Sequence, residues 1–140
     1  MQIEGLDHVH IEVRDRTVAA DWYSRVLGLV RHSAFARWAE DPMGPLFLAT
    51  ADGALALFAR PPSATSRDTT TAFRMTGEQF LDFVESLERQ NLKHPSGHSL
   101  TKADTVDHEV SWSLYFLDPD GNPLEVTTYD FKQVGRRIGR

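Results

Sequence analysis

An internal repeat constrains this chain more than any other feature: the order strand, helix, three strands can be read along it twice. Residues 8–13, His-Val-His-Ile-Glu-Val, alternate, so that Val9, Ile11 and Val13 face one way and His8, His10 and Glu12 the other. Asp15 stands where it can cap a following helix, on which Val18, Trp22 and Val26, with Ala19, Tyr23 and Leu27, form an apolar stripe. Gly28 is the stop signal. Residues 33–39, 45–50 and 54–60 then read as strands, the last two joined through the hairpin dipeptide Asp52-Gly53. Pro61 to Ser66, with two prolines and small polar residues, reads as a linker.

The second half follows the same order. Residues 70–75 form a strand, and Thr76-Gly77-Glu78-Gln79 matches a capping box. Phe80, Phe83, Val84 and Leu87 recur at helical spacing. Residues 93–110 carry little pattern and read as a weak strand with a long loop, followed by a strand over 111–117, a turn over 118–122 and a last strand over 124–129. The expected fold is therefore α+β: two tandem βαβββ modules forming curled mixed sheets around a cleft. Neither half can bury its apolar faces alone. Module one covers about 4–60, the linker 61–67 and module two about 68–130, with a C-terminal tail over 131–140, all in one domain.

The 140 residues, 41% of them hydrophobic, suffice for one domain with a core. A net charge of -5 without a basic stripe argues against nucleic acid as partner. Arg136, Arg137 and Arg140 read as a solvated basic end. The absence of cysteine rules out disulfides, thiolate metal sites and a cysteine nucleophile, and fits a reducing cytoplasm. The start of the chain lacks the pattern of a secretory signal, and no apolar run approaches the ~20 residues of a membrane span. A cytoplasmic protein without a membrane partner is expected.

Two stretches resemble a known family. Gly5-Leu6-Asp7-His8-Val9-His10-Ile11-Glu12-Val13, with Trp22-Tyr23 and Leu27-Gly28-Leu29, is similar to the opening of vicinal-oxygen-chelate proteins, the glyoxalase, bleomycin-resistance and dioxygenase superfamily. Tyr115-Phe116-Leu117-Asp118-Pro119-Asp120-Gly121-Asn122-Pro123-Leu124-Glu125 resembles their closing hairpin and is the more specific of the two. With Ala72-Phe73-Arg74, the likeness spans the chain to about Tyr129.

The resemblance implies a divalent metal (Fe, Mn, Zn or Ni) held by side chains of the first and last strands of the modules. By motif the first ligand is His8 and the carboxylate is Glu125, which also counts as catalytic. Where fosfomycin-resistance thiol transferases of the family carry a second histidine, three residues before Phe73, this chain has Thr70. The repeat checks this register: His8 and Thr70 begin equivalent strands, and the turns at Asp52-Gly53 and Asp120-Gly121 match Leu57 to Glu125. Only two of those four positions hold a metal-binding side chain, and catalytic sites usually use three. His10 lies about 6.6 Å further along the strand on the same side. It could complete a set of two histidines and a carboxylate, although the family uses that position for substrate.

By the same resemblance Tyr115 faces substrate and is catalytic, and its parity turns Ser111 and Ser113 the same way. Substrate-binding positions are therefore His10, Glu12, Thr70, Arg74, Ser113 and Tyr115. For Glu12 and Arg74 a buried ion pair is as good a reading. His108 reads as an exposed loop residue, as do His32, His94 and His98. Trp112, of opposite parity to Tyr115, should pack beneath a helix.

Two functions follow from the resemblance. One is a metal-dependent enzyme acting on a small oxygenated organic substrate, dioxygenase- or lyase/isomerase-like, with Glu12 available as a base. The other is a metal-free small-molecule or antibiotic-binding protein. Either is expected to be a homodimer.

Overall fold

The computed structural model describes residues 1–61 and 69–139, so the expected linker beyond Pro61 lies outside the described residues, as does Arg140. The chain divides into two compact units, Met1–Ser66 and Arg67–Arg140. Both have the expected order.

In the first unit, β1 (His8–Val13) is followed by α1 (Arg16–Leu27), β2 (Val30–Arg31), a 3-10 helix (Ser33–Glu40), β3 (Leu46–Ala49) and β4 (Ala54–Ala59). Its four strands are ordered β1-β4-β3-β2. β1 runs parallel to β4, while β3 is antiparallel to both β4 and β2. Asp15 caps α1 as expected, its Oδ1 accepting the N–H groups of Thr17 and Val18. Gly28 ends the helix with a φ of 70°, a left-handed conformation that glycine adopts without strain.

Two expectations for this unit are corrected. The buried face of α1 comprises Ala19, Ala20, Trp22, Tyr23 and Val26, whereas Val18 is 60% exposed. The buried arc centres near Ala19, and Val18, about 100° around the helix from it, falls at the edge of that arc. The strand expected over Ser33 to Ala39 is a 3-10 helix. Its alternation fits a strand, but long-range contacts decide: the Arg16 guanidinium donates to the carbonyls of Ala39 (2.9 Å), Asp41 (3.1 Å) and Gly44 (2.6 Å). Phe35 stacks on Trp38, and both rings lie against Phe47 of β3. A segment wound this way cannot extend. Arg16→Ala is expected to cost about 2 kcal/mol in urea unfolding, the net worth of hydrogen bonds from a charged donor, and to speed proteolytic cutting within residues 33–44. Unchanged cutting would show that the helix stands without the clamp.

The second unit contains β5 (Thr71–Arg74), α2 (Gly77–Gln90), a 3-10 turn (Lys102–Asp104), β6 (Val106–Asp107), β7 (Trp112–Leu117), β8 (Pro123–Thr128) and α3 (Phe131–Ile138). The sheet order is β5-β8-β7-β6, with β5 parallel to β8. The capping box at Thr76 and Gln79 forms, and Phe80, Phe83, Val84 and Leu87 are buried. The segment expected as a solvated tail is instead helix α3, with Val134 and Gly135 buried and Arg136 and Arg137 exposed. Trp112 packs beneath that helix, stacked on Phe131. Tyr129, expected in the last strand, is 64% exposed beyond its end.

Candidate functional site

Side chains paired across neighbouring strands share a face of the sheet. In the first unit Val9, Ile11 and Val13 pair with Leu55, Leu57 and Ala59. Leu55, Leu57, Ile11 and Val13 are buried on this face, on the side of α1. His8, His10 and Glu12 pair with Ala54, Ala56 and Phe58 on the opposite face. There His8 meets the Phe47 ring edge-on at 5.2 Å and His10 lies against Phe58 at 4.1 Å. Both histidines are exposed and Glu12 is half-buried. His8 Nδ1 contacts the Asp7 carboxylate at 2.7 Å. A carboxylate on one ring nitrogen is the kind of partner that stands behind metal-ligating histidines.

In the second unit Ala72 and Arg74 pair with Glu125 and Thr127, and these pair in turn with Tyr115 and Ser113. Arg74, Ser113, Tyr115 and Glu125 thus share one face, with Leu124, Val126 and Thr128 buried on the other. Thr70 precedes β5 with the same parity and is exposed, as is Arg74. The Ser113 hydroxyl donates to Glu125 Oε1 at 2.7 Å and lies 3.0 Å from the Thr127 hydroxyl. Burial raises the Tyr115 phenol above its ordinary pKa, and the charge of the neighbouring Glu125 carboxylate pushes it further. Tyr115 is therefore protonated at neutral pH.

The register corrects one equivalence. Leu57 lies on the helix-facing side, so the counterpart of Glu125 in the first unit is Ala56. The turn between β7 and β8 is one residue longer than that between β3 and β4, which displaces a match made from the Asp-Gly dipeptides. Neither an Ala56 nor a Leu57 side chain can ligate a metal, so the correction adds no donor to the two side chains, His8 and Glu125, that have one at those four positions.

His108 was expected to be an exposed loop residue; it is exposed, but its Nε2 shares a 2.9 Å hydrogen bond with the Tyr115 hydroxyl. The loop is aimed by Glu109, whose φ is 70° and whose N–H is held by Asp107. The backbone pairing of His108 N–H with Ser111 O closes it. Asp107-His108 just before the strand was the available signal, but its distance from Tyr115 depends on how tightly the loop turns, which sequence spacing does not give. His94 and His98, expected as exposed surface residues, meet Asp104, with one ligand atom of each lying within 4.8 Å of the others; His98 is exposed and His94 half-buried. Asp104 is partly buried, which opposes its charge. The Thr101 N–H and the His98 imidazole outweigh this and hold its carboxyl below the ordinary value.

The family model described as the Glyoxalase/Bleomycin resistance protein/Dioxygenase superfamily matches residues 5–126, and the chain belongs to that superfamily. Among solved structures, oxidase ChaP-H2 is similar at 18% identity with a TM-score of 0.70, over 96% of this chain and 100% of that one. The fosfomycin resistance protein FosX from Mesorhizobium loti is similar at 19% identity and a TM-score of 0.63, over 94% and 98%. A glyoxalase/dioxygenase from Nostoc punctiforme is similar at 17% identity and 0.64, over 90% and 91%. At these identities the likeness is one of fold. No curated protein matches the chain. Among the described residues no helix is long and apolar enough to cross a membrane.

Proposed function

We propose that this protein is a divalent-metal-dependent enzyme, acting as a homodimer on a small oxygenated organic substrate in a dioxygenase- or lyase/isomerase-like reaction. The observation that carries this reading is the pairing of His108 with Tyr115, beside a Glu125 carboxylate steadied by Ser113. A protonated phenol hydrogen-bonded to an imidazole is a proton-transfer pair; a binding cavity needs none.

The metal ligands proposed are His8 and Glu125. The donor chemistry fits: Asp7 orients the imidazole, Ser113 orients the carboxylate, and nitrogen with oxygen donors suits Fe, Mn, Zn or Ni. His10 lies against Phe58, and this packing favours its reading as a substrate contact. Bound there, the ion supplies Lewis acidity toward substrate oxygens. The chain's own groups do the rest. Tyr115 donates a hydrogen bond to a substrate oxygen, and His108 takes or returns the proton through the phenol. Glu12 serves as a carboxylate base where a carbon-bound proton must be removed. Thr70 and Arg74 contact polar parts of the substrate.

The test is a metal titration of tag-free protein carrying His98→Ala, which removes the separate histidine–aspartate group. In that background His8→Ala and Glu125→Ala are each expected to weaken Mn2+ or Zn2+ binding at least tenfold, of the order of a lost metal-site interaction. If both leave it unchanged, the ligand assignment is wrong. If the background protein binds no metal at all, the metal-free binding reading replaces this one.

A further inference from the structure

We propose that His94, His98 and Asp104 form a second divalent-cation site, of the kind that takes zinc or another borderline ion, and that it fastens the segment leading to His108. It uses neither His8 nor Glu125 and stands independently of the function proposed above.

Local backbone builds the site. Lys93 and Ser99 bridge antiparallel, His94 N–H donates to His98 O at 2.8 Å, and Gly97 N–H donates to His94 O at 2.8 Å. Gly97 has a φ of 102°, which a side chain would strain. This tight turn sets the two imidazoles side by side, ring centroids 4.4 Å apart and planes 14° from parallel. The third group comes from the 3-10 turn that follows. Asp104 Oδ2 accepts the Thr101 N–H at 2.8 Å, which fixes the carboxylate, while Oδ1 lies 2.8 Å from His98 Nε2.

Two imidazoles and one carboxylate are a common donor set for borderline divalent ions. Ligand atoms around one tetrahedral zinc sit about 3.4 Å apart, given bonds of about 2.0–2.1 Å. The observed spread of up to 4.8 Å closes when the rings turn out of their stack. His98 is free to do so, its side chain being 51% exposed. His94 Nδ1 accepts the Ser96 N–H at 3.0 Å; that bond steadies the ring if Nε2 ligates, and water replaces it at the exposed Ser96 if Nδ1 does. The proton shared by His98 and Asp104 leaves as the ion enters. Three protein ligands leave a position for water. The ion would tie the 93–99 turn to residues 101–104, which run through β6 directly into His108.

The experiment uses full-length, tag-free protein carrying His8→Ala and Glu125→Ala, titrated with zinc chloride by calorimetry. One zinc per chain is expected to bind saturably, with the His94 and His98 imidazole NMR signals shifting in proportion. Adding His98→Ala, or the milder His98→Gln if the alanine variant unfolds, is expected to weaken binding at least tenfold, as is Asp104→Asn. The proposal is overturned if the double variant takes up no zinc, or if uptake survives His94→Ala with His98→Ala. Zinc uptake that leaves both imidazole signals unmoved also overturns it.

Discussion

Trp112→Ala is expected to lower the free energy of unfolding by about 3–5 kcal/mol, the range for emptying a large buried aromatic site. The indole is 1% exposed on β7. It stacks on Phe131 at 5.1 Å with planes 10° apart, and its Nε1–H donates to the Phe131 carbonyl at 2.9 Å. It therefore fills the core and also holds the first turn of α3. Trp112→Phe keeps the stack and loses the hydrogen bond, an expected cost of about 1–2 kcal/mol. Urea denaturation of both variants measures the difference. An alanine cost below about 1 kcal/mol would mean that α3 docks without the indole.

Asp118→Ala should cost about 2–4 kcal/mol, because it leaves buried donors unpaired. Asp118 Oδ1 accepts the N–H groups of Asp120 (2.9 Å) and Asn122 (2.8 Å), and Oδ2 accepts the Asn122 amide at 2.9 Å. Both Asp118 and Asn122 are 4% exposed, so water does not readily take over. Gly121, with a φ of 86°, completes the turn. Asp118→Asn keeps one accepting oxygen and should fall between wild type and alanine in the same denaturation assay. If the alanine variant unfolds at the wild-type midpoint, the carboxylate is not what holds the turn. The Asp118-Pro119-Asp120-Gly121-Asn122 segment, the most specific family likeness in the chain, is thus a device for folding a hairpin. Its functional consequence is indirect: it sets the register that puts Glu125 beside Tyr115.

What was legible from sequence follows from how local the determining forces are. The parity of β1 and of β7, the Asp15 cap, the Thr76 box and the αL glycine at 28 are each fixed within a few residues, and the structure has them all. Residues 33–40 were misread because their contacts are distant in sequence: Arg16 holds the Ala39 carbonyl, and Phe35 and Trp38 lie against Phe47. The helix over Phe131–Ile138 was missed because two of its last residues are arginines and its short buried face rests on Val134 and Gly135. The faces of His8, His10, Glu12, Ser113, Tyr115 and Glu125 were readable by alternation. The approach of His108 to Tyr115, and of His94 to His98 and Asp104, depends on turns whose closure no period encodes.

The parallel pairing of the outer strands has a consequence for how the chain comes to be folded. Each unit's hairpin, β3 with β4 and β7 with β8, joins near neighbours and can close early, whereas β1 finds its partner only when residues from Ala54 onward exist. A chain growing from its N-terminus therefore carries its first strand unpaired through most of the synthesis of that unit. An apolar strand in that position would invite pairing with other nascent chains. His8, His10 and Glu12 interrupt Val9, Ile11 and Val13 at every second place, and charged or polar residues set among hydrophobic ones act as gatekeepers against such association. The residues proposed to meet metal and substrate are thus also placed to protect the strand while it waits.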